Sequence, residues 1–206
     1  MPNAVNHTSG NSALEKPAEA CSDEELMIAY SGGKTDAFNE LFSRYKQPLY
    51  GFFRRRIAEP AQAQAEELTQ ETFLAVLRGS ARYQPNALFR TYLYAIGFKV
   101  LRSNRRKVAF RAAFLGTSDK DREPEAQNSI LADVVVRQAV SKLDPSDREV
   151  LLLREFEQLS YAEIAELLSL PVNTIRSRLF RARLALRELL STRVNQPTVA
   201  GLAEFE

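Results

Sequence analysis

Residues 160–187 read SYAEIAELLSLPVNTIRSRLFRARLALR, and this stretch decides the fold of the C-terminal half. Ser160-Tyr161-Ala162-Glu163 has the form of a capping box: the serine hydroxyl accepts from a backbone N–H, and the glutamate accepts from the serine N–H. Ile164, Leu167 and Leu168 then face inward, and Ala165 is small enough for a close helix crossing. Ser169-Leu170-Pro171-Val172 ends this helix, and Asn173 or Thr174 is expected to cap the next. Two short helices across a turn of about four residues make a helix-turn-helix. At about 100° per residue, Ile175, Leu179, Ala182 and Leu186 form one stripe of the second helix. Arg176, Ser177, Phe180 and Arg181 form another, nearly opposite. The first stripe anchors the helix. The second offers forked donors, a hydroxyl and a ring, which suit guanine edges, phosphates and thymine methyls. Thr174 at the helix start, with Arg178 and Arg183 at the margins of the stripe, completes the candidate DNA-contacting set.

Working upstream, Asp144 is an N-cap with Pro145 at the first helical position and Asp147 behind it. The helix it opens carries Val150, Leu151, Leu152, Leu153 and Phe156, all expected to be buried. Leu131, Val134, Val135, Ala139 and Leu143 give a further helical period. Residues 112–130 lose apolar content and hold Asp119, Asp121, Glu123 and Glu125, so they read as an acidic linker. Before it, Ser22 caps a helix whose first turn is Asp23, Glu24 and Glu25. Phe38, Leu41, Phe42, Tyr45, Leu49 and Phe52 recur at intervals of three and four. Leu68, Thr72 and Leu77 with Phe73 and Val76, and then Leu93, Ile96, Val100 and Leu101, give two more amphipathic helices. No stretch alternates with period two between hairpin signals. The expected fold is all-α: a tail at 1–22, a helical domain at 23–111, the linker, a helix-turn-helix domain at 131–190 and a tail at 191–206.

Charge divides unevenly along the 206 residues, whose net charge is +2. Residues 99–111 carry +6 and residues 173–187 carry +5, neither with an acid, leaving −9 for the rest. Two compact basic segments in an otherwise acidic chain point to two contacts with a polyanion. No apolar run approaches the roughly 18 residues of a membrane span. The first residues, MPNAVNHTSG, have neither a basic nor an apolar signal region. One cysteine, Cys21, forms no intrachain disulfide, which fits a reducing cytoplasm. With one histidine, His7, no Cys/His metal site and no cofactor is expected, and the commonest general base is missing from any enzyme hypothesis. Gly33-Lys34-Thr35 lacks the earlier glycine and the preceding strand of a phosphate-binding loop.

The first basic segment is led by Tyr83, Phe89, Tyr92, Tyr94 and Phe98, which run into Lys99, Arg102, Arg105, Arg106 and Lys107. Rings beside a cationic helix suit unstacked bases and their backbone; by periodicity Phe89 and Tyr92 also suit a core. In this order the two modules resemble the bacterial sigma factors of RNA polymerase, in the extracytoplasmic-function (ECF) group. The resemblance rests on DAFNELFSRYKQPLYGFFRRR (36–56), AEELTQETFLAVLRG (65–79), FRTYLYAIGFKVLRSNRRK (89–107) and the helix-turn-helix block at 143–190, and it spans about residues 23–190.

That resemblance implies a non-enzymatic factor of the cytoplasm that binds core RNA polymerase through its clamp helices and flap and directs it to promoter DNA. Glu67, Gln70 and Glu71 would meet the clamp. Tyr83, Tyr92, Lys99, Arg102, Arg105 and Arg106 would open and read the −10 element. The stripe of Arg176 and its neighbours would read the −35 element. An anti-sigma partner is implied too, while no small-molecule substrate and no membrane insertion is. Tyr92, Phe98-Lys99 and Ser103 depart from the family pattern of Trp, Arg-Asn and Asp. Gln158 and Ser169 stand where glycine is common, so a left-handed cap there would cost on the order of 1 kcal/mol. The alternative from another class is a dimeric helix-turn-helix repressor or activator, with residues 23–110 as its sensing or dimerisation domain.

Overall fold

The computed structural model describes residues 17–57, 61–115 and 131–194. Among them every regular element of more than three residues is an α-helix: α1 Asp23–Ser31, α2 Thr35–Arg54, α3 Gln62–Gly79, α4 Phe89–Leu115, α5 Leu131–Ser141, α6 Pro145–Glu155, α7 Tyr161–Leu168 and α8 Val172–Val194. The all-α expectation holds. Asp119, Asp121, Glu123 and Glu125, His7 and the far ends of both tails lie outside the described residues.

In the N-terminal half, the apolar spacing becomes an aromatic core. Phe52, Phe53 and Phe89 are fully buried with Met27, Leu41, Leu49, Leu68 and Leu93. Each such side chain removed from water contributes about 1.5–3 kcal/mol. The Phe52 ring meets Phe53, Tyr94 and Phe98 at centroid separations of 5.1, 5.4 and 5.1 Å, so α2 and α4 are locked ring against ring. Ser22 forms the expected capping box with Glu25. Glu24, in the first turn of α1, accepts from the Phe89 N–H at 2.7 Å and so satisfies a free donor at the head of α4.

The expected N-terminal tail is shorter than 22 residues. Arg44 on α2 donates to the carbonyls of Ala18, Glu19 and Cys21 and to the carboxylates of Asp23 and Glu40, all within 3.1 Å. This fork fastens a short 3-10 turn, Ala18–Ala20, against the domain. Tyr45 donates to the same Asp23, and burial beside that carboxylate pushes the phenol far up. At the other boundary α4 continues to Leu115, past residue 111, and α8 continues to Val194, past residue 190.

The C-terminal half is built from shorter helices with an aliphatic core: Val150, Leu153, Leu159, Ile164 and Ile175 are fully buried. Asp144 caps α6 by accepting from the N–H groups of Ser146 and Asp147, and Ser160 and Glu163 complete a capping box on α7. Ser169 ends α7 in the left-handed region at φ 54°, and Gln158 adopts φ 56° in the preceding turn. These are the two positions where glycine was expected, so both carry the strain of a Cβ at positive φ. Two local expectations change. The head of α8 lies at Val172, with the Pro171 carbonyl accepting from Thr174 and Ile175, so neither Asn173 nor Thr174 is the cap. Phe156 is 54% exposed rather than buried, because α6 ends at Glu155, one residue before it; the Arg55 guanidinium lies over its ring at 4.3 Å.

Candidate nucleic-acid interface

α8 separates a buried side from an exposed one as the helical spacing requires. Ile175, Leu179 and Ala182 are buried, while Arg176, Ser177, Phe180 and Arg181 are exposed. Phe180, at 69% exposure, is an uncovered aromatic ring in the middle of a cationic face. The serine hydroxyl donates to the Asn173 carbonyl at 3.0 Å and Arg176 reaches the Asn173 side chain at 3.4 Å, which orders the first turn. Arg181 is fixed by a two-pronged pair with Asp147 of α6 at 2.7 and 2.9 Å. Arg183 pairs with Glu155 at 2.8 Å across two half-exposed side chains. Of the cations on α8, these two are pre-aimed by acids. Thr174 and Arg178 are half-buried at the edge of the face.

The first basic segment resolves into two parts. Tyr83 and Tyr92 come together, with ring centroids 5.2 Å apart, and both rest on Phe89 at 6.3 Å. Phe89 is core, and the two tyrosines are half-buried above it. The Tyr83 hydroxyl is buried without a protein partner, and burial raises the phenol to about 12, so the group stays a neutral donor. A Cβ on Gly79 would come within 2.8 Å of the Tyr92 hydroxyl, so the absence of a side chain there lets the tyrosine lie down. Lys99, Arg102 and Arg106 continue along the exposed side of α4. Arg105 turns the other way and donates to the Arg56 carbonyl at 3.3 Å.

On α3, Glu67 and Gln70 are exposed and Glu71 is half-buried on one face. The same face ends in Leu74, 48% exposed; Phe42 of α2, also partly uncovered, meets the adjacent Phe73 ring at 4.8 Å. Sequence reasoning missed Leu74. Its spacing of three from Glu71 and seven from Glu67 places it on the same stripe, but only burial distinguishes it from a core leucine.

The two halves touch. Arg56, at the end of α2 and 1% exposed, lies over the Phe52 ring at 4.0 Å and pairs with Glu149 at 2.8 Å and Glu157 at 3.1 Å. Arg55 reaches the same Glu157 at 2.9 Å. At the head of α4, Arg90 and the Thr91 hydroxyl hold Glu163 of α7, at 3.2 and 2.6 Å. Burial alone would raise the Glu163 carboxyl. The hydrogen bonds from Ser160, Thr91 and Arg90 outweigh that and hold it at about 2. Between the halves lies a cleft of about 330 Å³, lined on one side by Arg102 and Arg105 and on the other by Pro145, Glu149, Leu170 and Arg178. Among the described residues no helix is long and apolar enough to cross a membrane, and no group of acids, cysteines and histidines could hold a metal ion.

The N-terminal half matches the family model for Sigma-70 region 2 over residues 41–110, and the C-terminal half matches Sigma-70, region 4 over residues 133–186. RNA polymerase sigma factor CarQ of Myxococcus xanthus is 31% identical over 173 residues, covering 80% of this chain and 95% of that protein. RNA polymerase sigma-H factor of Pseudomonas aeruginosa is 29% identical over 182 residues, covering 82% and 93%. Among solved structures, CnrH in complex with the cytosolic domain of CnrY superposes with a TM-score of 0.62 at 30% identity, covering 82% of this chain and 97% of that one. A region-2 match over α2–α4 overturns the alternative of a dimeric regulator with a sensing domain there. Two helical modules in this order, each matched to its own sigma region and together followed along most of the chain by such relatives, place the protein among the RNA polymerase sigma factors, in the ECF group.

Proposed function

We propose that this sigma factor binds core RNA polymerase and directs it to promoters with separate −35 and −10 elements, the polymerase supplying all the chemistry. The observation that carries this is the α8 face, where Arg176, Ser177, Phe180 and Arg181 are exposed opposite a buried anchor. Arginine forks suit guanine O6 and N7 or phosphates, and the Phe180 ring suits a thymine methyl at the −35 element. Thr174, Arg178 and Arg183 flank it as phosphate contacts.

Residues 23–111 act as region 2. Tyr83 and Tyr92 offer ring faces and a hydroxyl to an unstacked base of the −10 element, and Lys99, Arg102 and Arg106 follow its backbone. Arg105, turned toward Arg56, joins them only after rearrangement. Glu67, Gln70, Glu71 and the uncovered Leu74 form the face for the polymerase clamp helices. Residues 131–190 act as region 4 and meet the flap. The protein works in the cytoplasm with the polymerase, and an anti-sigma factor is its expected regulator. The relative CnrH is recorded with the cytosolic domain of CnrY, and a second fold neighbour, RpoE of Bartonella quintana, with the anti-sigma factor NepR.

The test is run-off transcription with purified core polymerase on genomic fragments that include the region upstream of this gene. Discrete transcripts that need both proteins, and that disappear with Gln70→Ala/Glu71→Ala, are the expected result. Tight operator binding as a dimer, without association with core, would overturn the reading.

A further inference from the structure

The exposed face of α8 has a carboxylate built into its base. Asp147, in the first turn of α6, is 7% exposed, and both of its oxygens hold Arg181. Oδ2 accepts from Nε at 2.9 Å and Oδ1 from Nη2 at 2.7 Å. A buried anion is a costly feature beneath a surface suited to a polyanion, since it repels phosphates whatever the sequence they belong to. Its own helix does not need it as a cap. Asp144 already accepts from the N–H groups of Ser146 and Asp147, which leaves the Asp147 oxygens to the arginine.

The pairing uses one side of the guanidinium. Of its five N–H groups, the carboxylate occupies two on the Nε side. The end-on edge keeps two parallel donors, one on Nη1 and one on Nη2, and the Arg181 side chain is 58% exposed, so it is held without being covered. Two parallel donors match the O6 and N7 of guanine or two oxygens of a phosphate. What the carboxylate adds is direction. The rotamer freedom of a long side chain is already lost before DNA arrives, and the free fork keeps one plane. A phosphate contact tolerates many approach angles, whereas a base edge accepts a fork in its own plane.

The neighbouring cations are held differently. Arg183 makes one bond, at 2.8 Å, to Glu155, and both side chains are half-exposed, so solvent screens the pair. Arg176 meets the neutral Asn173 side chain at 3.4 Å on its own helix. Arg181 lies one turn beyond Ser177 and beside Phe180, on the same exposed stripe. We propose that Asp147 is a specificity-determining positioning residue, which aims the end-on edge of Arg181 at the O6 and N7 of one guanine in the −35 element and lowers general affinity for DNA as it does so, an assignment that rests on the −35 role proposed for α8 above.

The test is selection by the holoenzyme. The full chain bound to core polymerase is offered promoter fragments whose −35 element is randomised, with the rest of a promoter found by run-off transcription kept fixed. Wild type is expected to enrich a guanine at a position where Arg181→Lys, which keeps the charge and loses the fork, does not. Asp147→Asn is expected to lower that guanine preference about tenfold, within the range of one bidentate arginine–guanine pair, and to leave the other positions unchanged. On a scrambled duplex the same variant should bind more tightly and with a steeper salt dependence, because an anion has left the face. Glu155→Gln should keep the wild-type preference. Weaker binding of Asp147→Asn to every sequence, with the preference intact, makes Asp147 a structural acid and overturns the assignment. Tighter binding to every sequence alike means that the carboxylate only competes with DNA for Arg181, and overturns it as well. Should Asp147→Asn fail to fold by circular dichroism, a guanine preference that survives Arg181→Lys is the overturning result. Wild-type holoenzyme that transcribes but enriches no −35 base fails the −35 reading itself, whereas a preference that survives both variants fails the aim of Arg181 alone.

Discussion

The two halves of this protein reach the same end, an exposed cationic helix on a stable support, by different physical means. The N-terminal half rests on long helices whose aromatic side chains interlock, with Phe52 touching three other rings. The C-terminal half has short helices, an aliphatic core and explicit end chemistry: Asp144 on α6, and Ser160 with Glu163 on α7. The reading surfaces differ in the same way. On α8 the reading face stands clear of its core, so Phe180 supports nothing. Tyr92 of α4 and Tyr83 ahead of it lie directly on Phe89, so the role proposed for them and their packing share atoms. Where helices are short, local end effects must do what burial does elsewhere.

The contrast can be broken most decisively at Phe52. Phe52→Ala is expected to lower stability by about 3–5 kcal/mol, melting the N-terminal half before the C-terminal half in a thermal scan followed at single probes in each. Coincident melting at the wild-type temperature would show that the aromatic core is not what carries that half.

The reading faces come next. Phe180→Ala should weaken binding of a −35 duplex by about 1 kcal/mol, the order of one buried methyl contact, and leave the melting temperature alone. Tyr92→Ala should lower both initiation and stability. Equal behaviour of the two variants in both assays would erase the distinction between a free and a supported face.

A smaller effect sharpens the role of the caps. Ser160→Ala is expected to cost about 1 kcal/mol, read as a shift in the urea midpoint, whereas Ser169→Gly should gain up to about 1 kcal/mol by relieving a Cβ at positive φ. A loss of stability in Ser169→Gly would mean that packing around the serine outweighs the backbone strain.

The smallest effect is one of pH. The Glu163 carboxyl is held near 2 against an ordinary 4.5. A depressed carboxyl contributes stability that is full above its unfolded value and is lost as pH falls through its folded one. The difference in urea midpoint between wild type and Glu163→Gln should therefore be constant above about 4.5 and shrink toward pH 2. A difference that grows on acidification would reverse the sign and remove Ser160, Thr91 and Arg90 as the cause.

Much of this was legible in the sequence because it depends on neighbours along the chain. Ser22, Asp144 and Ser160 could be read as caps, and the two stripes of α8 as anchor and face, since each requires only residues within a few positions. The sites that escaped are those whose partners are remote. Leu74 falls by spacing on the stripe of Glu67 and Glu71, and only burial shows that this leucine is left open beside them. Phe156 follows a run of buried leucines, and only the fold shows that its ring stays at the surface under a guanidinium that comes from Arg55, far upstream. Arg44 holds a segment more than twenty residues upstream that composition assigned to the tail.

By itself the sequence determined an all-helical chain of two modules, where three of the eight described helices begin, which face of α8 carries arginine, and the family to which the pattern belongs. Helix period, caps and charge density are properties of short stretches, and they survive without knowledge of the fold. Tertiary structure alone decided that Arg181 is aimed by Asp147, that Tyr83 and Tyr92 meet beside Gly79, and that Arg56 is buried against Glu157, 101 residues away. A buried ion pair exists only where two surfaces have already excluded water together, and no local pattern in the chain encodes which surfaces those are.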